Sequence, residues 1–407
     1  MIRHFTIENF CSFRHPAPVS FVVGKNAPDN TSFRDSINPD ERISTLLGVF
    51  GPNASGKTNL IKGLAFLSWF IHDSYEALPI VPIPVAGFRA IGADQPTRME
   101  LEYEADGTAF RYRVELSPDR VLSETLSKRG EHGRFSTVLH RQSSGSEKKP
   151  PIKIGGTLSI PLATLQNTLR ENSSIVSTAL QTGNRKLAEW VAPIRVQTNL
   201  RHYGRRKATD EHSLLEHAAR RFFEDRTLFS QVYDILTARA DLGITRLEID
   251  QEMIFDDDFG AMRKALITTL SHSAGDLPDF SLKLIEESSG TKRLFLLLSW
   301  ILPALRDGVP VILDELESDL HPHMLPWLLR LFSDPETNPA GAQLLFTCHS
   351  AGIMNRLDKT QIALTEKDNR NGTSEAWRLD EVQGVRRDDN LFAKYNAGSY
   401  GAVPEPL

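Results

Sequence analysis

Gly51-Pro52-Asn53-Ala54-Ser55-Gly56-Lys57-Thr58 matches G-x4-G-K-[ST] at every fixed position. A polyphosphate needs many N–H donors at short range, and glycines let the backbone curl around it. Lys57 offers a point charge for the β and γ phosphates of a nucleoside triphosphate, and Thr58 a hydroxyl for Mg²⁺. Asn59 opens the helical stretch that follows, whose N-terminal dipole favours an anion. A second pattern, Val309-Pro310-Val311-Ile312-Leu313-Asp314-Glu315, is an apolar run closed by two acids. Asp314 is suited to reach the metal, directly or through water, and Glu315 to orient and polarise an attacking water. Third comes Glu286 to Arg293, in which Ser288, Ser289, Gly290 and Thr291 open a helical run and can form an anion nest. Fourth, Gln343 to Ser350 is an apolar strand pattern ending at His349, which can contact a γ-phosphate. Taken singly, the last three also read as solvated acids, a capped helix and a structural histidine. Their company with the phosphate loop gives them weight.

Other clusters carry less. Arg201-His202-Tyr203-Gly204-Arg205-Arg206-Lys207 is basic with an aromatic inside, and suits either nucleic acid or an ordinary solvated loop. Asp256-Asp257-Asp258 lacks the spaced ligands of a calcium loop and reads as a solvated turn. His321-Pro322-His323 has no third zinc ligand nearby. Cys11 and Cys348 form neither a disulfide framework nor a CxxC zinc motif.

These residues need a frame. Leu46 to Phe50 is a compact apolar strand leading into the phosphate loop, and Asn59 to His72 has helical length. Residues 1–50 read as short strands and turns. Met99, Leu101, Tyr103 and then Phe110, Tyr112, Val114 alternate around Asp106-Gly107, a hairpin signal. Arg120 to Leu139 adds further strand, and residues 143–151 (SSGSEKKPP) read as an exposed loop. Apolar residues from Leu162 to Leu236 recur near helical spacing. Strand character returns at Ile244–Ile249 and Phe280–Ile285, and no internal repeat is visible. The division expected is residues 1–160 with the phosphate loop and a β lobe, 161–243 helical, and 244–407 with the remaining motifs.

The chain has 407 residues, 40% hydrophobic and 24% charged, which excludes a mainly disordered or collagen-like chain. A net charge of −5 argues against a wholly basic nucleic-acid coat. The start, Met1 to Glu8, lacks the apolar run of a signal peptide, and the stretch Leu294 to Leu305 is too short to span a bilayer. The expected compartment is the cytoplasm, with no membrane partner.

In this order, the motifs resemble the ABC-type ATPase heads of the SMC and RecF kind. Ser288-Ser289-Gly290-Thr291 is similar to a degenerate form of the Ser-Gly-Gly-Gln signature of those heads. Ser318-Asp319-Leu320-His321-Pro322 is similar to their loop after the acidic strand, and Ile7 to Phe13 to their opening strand and turn. A glutamine loop is not evident; Gln95 is a weak match. The resemblance implies an α/β head with an antiparallel β lobe and a helical insertion. It also implies ATP and Mg²⁺ as ligands, hydrolysis by in-line attack of water, and a homodimer or higher assembly. In such an assembly, the signature of one copy closes over the γ-phosphate held by the other.

A narrower resemblance runs through Ile2, Ile7 to Phe10, Ser12-Phe13, Glu287 to Arg293, Leu313 to Pro322, and Tyr395, Gly398, Tyr400 to Pro404. It is to the bacterial abortive-infection ATPases of the AbiL/RloA type. It implies a phage-defence switch that senses a trigger and acts with a separately encoded effector nuclease, since no Toprim domain follows the head. A RecF-like DNA-end or repair ATPase and a transporter ATPase subunit are the competing readings. The signature and helical region are atypical for the transporter.

Overall fold

The computed structural model describes all residues except 26, 29–30, 92–94, 131, 144–150, 157, 201–209, 257–260 and 404–407. The basic run 201–207, Asp257 and Asp258, most of the 143–151 loop and Pro404 therefore lie outside the described residues.

The chain forms an α/β fold built around a six-stranded sheet. Its order is Gln197–Thr198, Val311–Leu313, Leu344–Thr347, Leu46–Phe50, Ile362–Lys367, Ser374–Arg378. The first five strands run parallel, and the last pairs antiparallel. Val311–Leu313, Leu344–Thr347 and Leu46–Phe50 are buried at every position, as strands covered on both faces must be. Gly48 has a packing reason: a Cβ there would lie 2.7 Å from Phe50 and 2.8 Å from Phe346. Leu313 pairs with Phe346, and Phe346 with Gly48. That register brings the phosphate loop, Asp314 and His349 out at the carboxyl ends of neighbouring strands, where open α/β sheets place ligands.

The β lobe is a seven-stranded antiparallel sheet that includes Ile2–Glu8, Thr97–Ala105 and Thr108–Leu116. The expected hairpin is present, with Ala105 opposite Thr108. Asp106 and Gly107 both have positive φ, 49° and 65°, as a type I′ turn demands. Helix Lys57–Asp73 lies between lobe and core sheet: Leu60, Phe66 and Phe70 join one apolar cluster with Phe5, Leu101, Val49 and Leu345. Gly63 lets it approach the first strand, since a Cβ would sit 2.5 Å from Ile7 Cγ2.

A second core packs helices Ser289–Asp307 and Met324–Ser333 on the other face of the sheet. A third joins the inner end of Ser289–Asp307 to helices Glu211–Glu224 and Arg226–Asp234 and to a three-stranded sheet. That sheet is Ile244–Asp256, Ala261–Ala274, Leu277–Lys283. The sequence pattern misses Ala261–Ala274, because Thr268, Thr269, Ser271 and Ser273 dilute the apolar alternation of a strand covered on one face. Residues 161–243 are shared among these units. Helices Ile175–Leu180 and Arg185–Val191 pack in the first core, and Gln197–Thr198 forms the edge of the parallel sheet. No helix among the described residues is long and apolar enough to cross a membrane.

Candidate functional site

The phosphate loop keeps its shape through neighbours remote in sequence. Gly51 has φ 153° and Gly56 φ 108°, conformations that favour glycine. A Cβ on Gly51 would overlap the Thr365 carbonyl, and one on Gly56 would lie 2.7 Å from Ser374 Oγ and 3.0 Å from Ser12 Oγ. Ser55 is buried, its hydroxyl 2.7 Å from Thr365 Oγ1. Asn59 donates its amide to Ser12 Oγ at 3.0 Å, so it ties the helix to the opening turn. Asn53 and Ala54 are exposed at the loop's tip, next to half-buried Pro52, with Ala54 at φ 61°.

Lys57 folds back over the loop, donating to the Gly51 and Pro52 carbonyls at 2.8 Å each. Burial pushes its ammonium below the ordinary lysine range, while Asp314, Glu317 and Glu315 pull it back up. Thr58 Oγ1 donates to Asp314 Oδ1 at 3.1 Å, and Thr347 Oγ1 donates to the same oxygen at 2.6 Å. Asn199 grips the backbone of Asp314 from both sides. Its Nδ2 donates to the Asp314 carbonyl, and its Oδ1 accepts from the Asp314 N–H, both at 2.8 Å.

Glu315 is exposed and held at φ 48°, a conformation that costs an L-residue about 1–2 kcal/mol. Thr347 Oγ1 accepts its N–H at 2.8 Å, and Arg293 donates to its carbonyl at 3.0 Å. His349 Nε2 lies 4.0 Å from Glu315 Oε1. Glu317 accepts the His349 N–H with one oxygen, and its other oxygen is buried without a hydrogen-bond partner among the described residues. Cys348 is inert beside them: burial, then Glu317, push its thiol well above the usual range.

The loop's glycine cradle, the Thr58 and Asp314 oxygens 3.1 Å apart, and the orphaned Glu317 oxygen fit a magnesium–polyphosphate pair.

Ser288 to Thr291 stand apart from this cluster. Ser288 caps helix Ser289–Asp307, its Oγ accepting from Thr291 N at 3.2 Å and lying 2.9 Å from Thr291 Oγ1. Gly290 sits under the following loop, where a Cβ would meet the Asp319 carbonyl at 3.0 Å. Ser288, Gly290 and Thr291 line a cleft of about 610 Å³ with Asp319, His321 and His323, and no residue of 51–59 lines it. The two histidine rings stack at 5.1 Å. Gln95 is exposed, and its carbonyl accepts the Asn9 amide at 2.7 Å.

Sequence reasoning missed Asn199, Thr347, Thr365 and Ser374. Thr347 lay inside the quoted strand, two residues before His349, but the others carry no local signal. The one metal-type cluster found among the described residues, His4, Glu100 and Glu102, is already neutralised by ion pairs to Arg3, Arg111 and Arg113.

No curated protein matches the chain in sequence. Among solved structures, it is similar to the SMC head domain from Thermotoga maritima (14% identity, 93% of this chain and 98% of that one, TM-score 0.41). It is also similar to an Smc head bound to the C-winged helix domain of ScpA (12%, 94% and 99%, TM-score 0.49). A third is an Smc head with an extended coiled coil, bound to the C-terminal domain of ScpA derived from Pyrococcus furiosus (12%, 93% and 97%, TM-score 0.45). The family model described as "AAA domain, putative AbiEii toxin, Type IV TA system" matches residues 46–355, from the strand before the phosphate loop to just beyond His349. That span is well over half of the chain, and the chain belongs to this AAA-domain family.

Proposed function

We propose that the chain is an ATP-hydrolysing switch subunit of a bacterial anti-phage, abortive-infection system, controlling a separately encoded effector nuclease. The observation that carries the hydrolytic part is the convergence of Lys57, Thr58, Asp314, Glu315 and His349 at one end of the parallel sheet. The toxin–antitoxin description of the family supports the defence part.

In this reading, the phosphates of ATP lie against the loop N–H groups and the start of helix Lys57–Asp73. Lys57 leaves the Gly51 and Pro52 carbonyls for the β and γ phosphates. Thr58 Oγ1 and Asp314 Oδ1 would hold Mg²⁺, which would neutralise phosphate charge. Thr347 and Asn199 keep Asp314 aimed. Glu315 orients the attacking water and draws on its proton, and His349 faces the γ-phosphate. No residue of 51–59 lines the cleft beside Ser288, which supports the reading that Ser288 to Thr291 serve the γ-phosphate of a second copy. ATP then joins two heads and hydrolysis releases them, which requires ATP to favour the closed pair over the open one.

Ser288→Arg should leave ATP binding intact and block turnover, because a bulky cation obstructs the second copy's γ-phosphate. Mixed with wild type, it should lower ATPase activity beyond dilution. A loss strictly proportional to its fraction would mean that one chain completes the site.

The effector is tested by affinity purification from the native host, together with nuclease and phage-plating assays. The chain alone should hydrolyse ATP and leave DNA and RNA uncut, with a nuclease co-purifying and defence lost on removing either gene. ATPase activity dependent on duplex ends, with no nuclease partner, would replace this reading with the RecF-like one.

A further inference from the structure

The three-stranded sheet ends in an open edge. Strand Leu277–Lys283 pairs with Ala261–Ala274 on one side and is the last in its sheet. Phe280 is 49% exposed and Leu277 71%, with Ile285 just beyond at 46%. An exposed apolar edge is a template for another strand, and stable folds blunt or cover such edges. Only the first part is blunted here, by Pro278 at the register irregularity. From Phe280 to Lys283 the ladder is regular, and the Lys283 N–H ends it by turning to Glu286 Oε2 at 2.8 Å.

The sequence of this edge is self-complementary. We propose that it is a contact between two copies of this chain. Their Asp279–Lys283 strands pair antiparallel about a two-fold axis through Ser281 and join two three-stranded sheets into one of six. In that register, Asp279 stands opposite Lys283 of the second copy, Phe280 opposite Leu282, and Ser281 opposite itself. Paired positions differ by an even number, so the outward backbone groups of one strand meet those of the other, apart from the Lys283 N–H, which Glu286 already takes. Side chains sort by face in the same way. Ser281 Oγ lies 3.0 Å from Ser271 Oγ on one face. By alternation Asp279 and Lys283 fall on that face, and the Asp279 carboxylate, which also accepts the Ala274 N–H at 3.4 Å, meets Lys283 of the second copy in two ion pairs across the axis. On the other face, Phe280 and Leu282 of both copies form one apolar group, next to His272, on which Phe280 stacks at 5.2 Å. Pro278 falls outside the paired span and removes no donor from it.

The contact also reaches the reaction cycle. His272 Nε2 is 2.7 Å from Glu287 Oε1, and Glu287 precedes Ser288, the cap of the signature helix. A strand pair of this length buries less than the ~1,600 Å² of a standard interface, so a dissociation constant in the micromolar range is expected. Two heads already joined through nucleotide would gain from it by avidity, which extends the pair to a larger assembly.

Sedimentation and native mass of nucleotide-free protein in EDTA test this at ~50 µM, above the constant that a contact of this size supports. Wild type should sediment as two copies. Asp279→Lys and Lys283→Asp should each shift the population at that concentration towards single copies, with dissociation constants raised on the order of tenfold or more by like charges facing across the axis. An equimolar mixture of the two variants should recover the two-copy mass, as should the double exchange, which shows that neither variant is merely misfolded. Wild type sedimenting as one copy, single variants keeping the two-copy mass, or a mixture that stays single would each overturn the proposal. Nucleotide is absent throughout, so the outcome does not depend on the ATPase reading.

Discussion

A Glu315→Gln chain is expected to bind ATP with wild-type affinity and to hydrolyse it on the order of 10²–10⁴-fold more slowly, the usual span for removing a general base. The amide keeps the side chain's volume but loses the charge that polarises water. The backbone is set independently of the carboxylate: Thr347 Oγ1 accepts the Glu315 N–H and Arg293 holds its carbonyl. Glutamine should therefore occupy the same left-handed conformation, and the variant should melt like wild type. With turnover blocked and binding preserved, the ATP-joined assembly should accumulate in gel filtration. Single-turnover hydrolysis at the wild-type rate would remove Glu315 from the base role. Glu317, whose buried oxygen lacks a hydrogen-bond partner among the described residues, would then be the group to examine.

Lys57→Ala is expected to abolish turnover and to weaken ATP binding by about tenfold to a hundredfold, the scale of a lost hydrogen bond to a charged group. The side chain is buried and its charge is opposed by desolvation, so its ammonium is poorly hydrated and ready to exchange the Gly51 and Pro52 carbonyls for phosphate oxygens. Alanine removes that cation and leaves the triphosphate facing Asp314, Glu315 and Glu317 with less compensation. Titration with a fluorescent ATP analogue and a steady-state phosphate assay measure the two effects separately. Wild-type turnover in this variant would sink the assignment of Gly51 to Thr58 as the phosphate site.

Much of this architecture was legible in the chain itself, because phosphate chemistry and secondary structure both write local patterns. A loop that curls around an anion needs Gly51 and Gly56 at fixed spacing, with Lys57 and Thr58 directly after. A strand buried on both faces reads as the unbroken apolar runs Leu46–Phe50 and Val311–Leu313. The Asp106-Gly107 turn announces its hairpin because few residues accept two successive positive φ angles. Each of these features is specified within about ten residues, the length over which local conformation is set.

The supports of the site were decided only by the tertiary fold. Ser12 meets Ser374 across 362 positions, Ser55 meets Thr365 across 310, and Asn199 grips Asp314 across 115. Serine, threonine and asparagine have no periodicity to betray them; they acquire a partner once the sheet fixes which strands are neighbours. The two-residue strand Gln197–Thr198 is too short to leave a pattern, yet by pairing with Val311 and Ile312 it delivers Asn199 to the acidic strand's end. Likewise, Ser288 to Thr291 carry an anion-binding sequence, but the place of Ser288, Gly290 and Thr291 in a cleft lined by no residue of 51–59 follows from how helix Ser289–Asp307 packs between two cores. Sequence wrote the reactive groups because their chemistry is local. Tertiary structure chose their neighbours because hydrogen bonds between distant segments form only after apolar burial has set the register of the sheets.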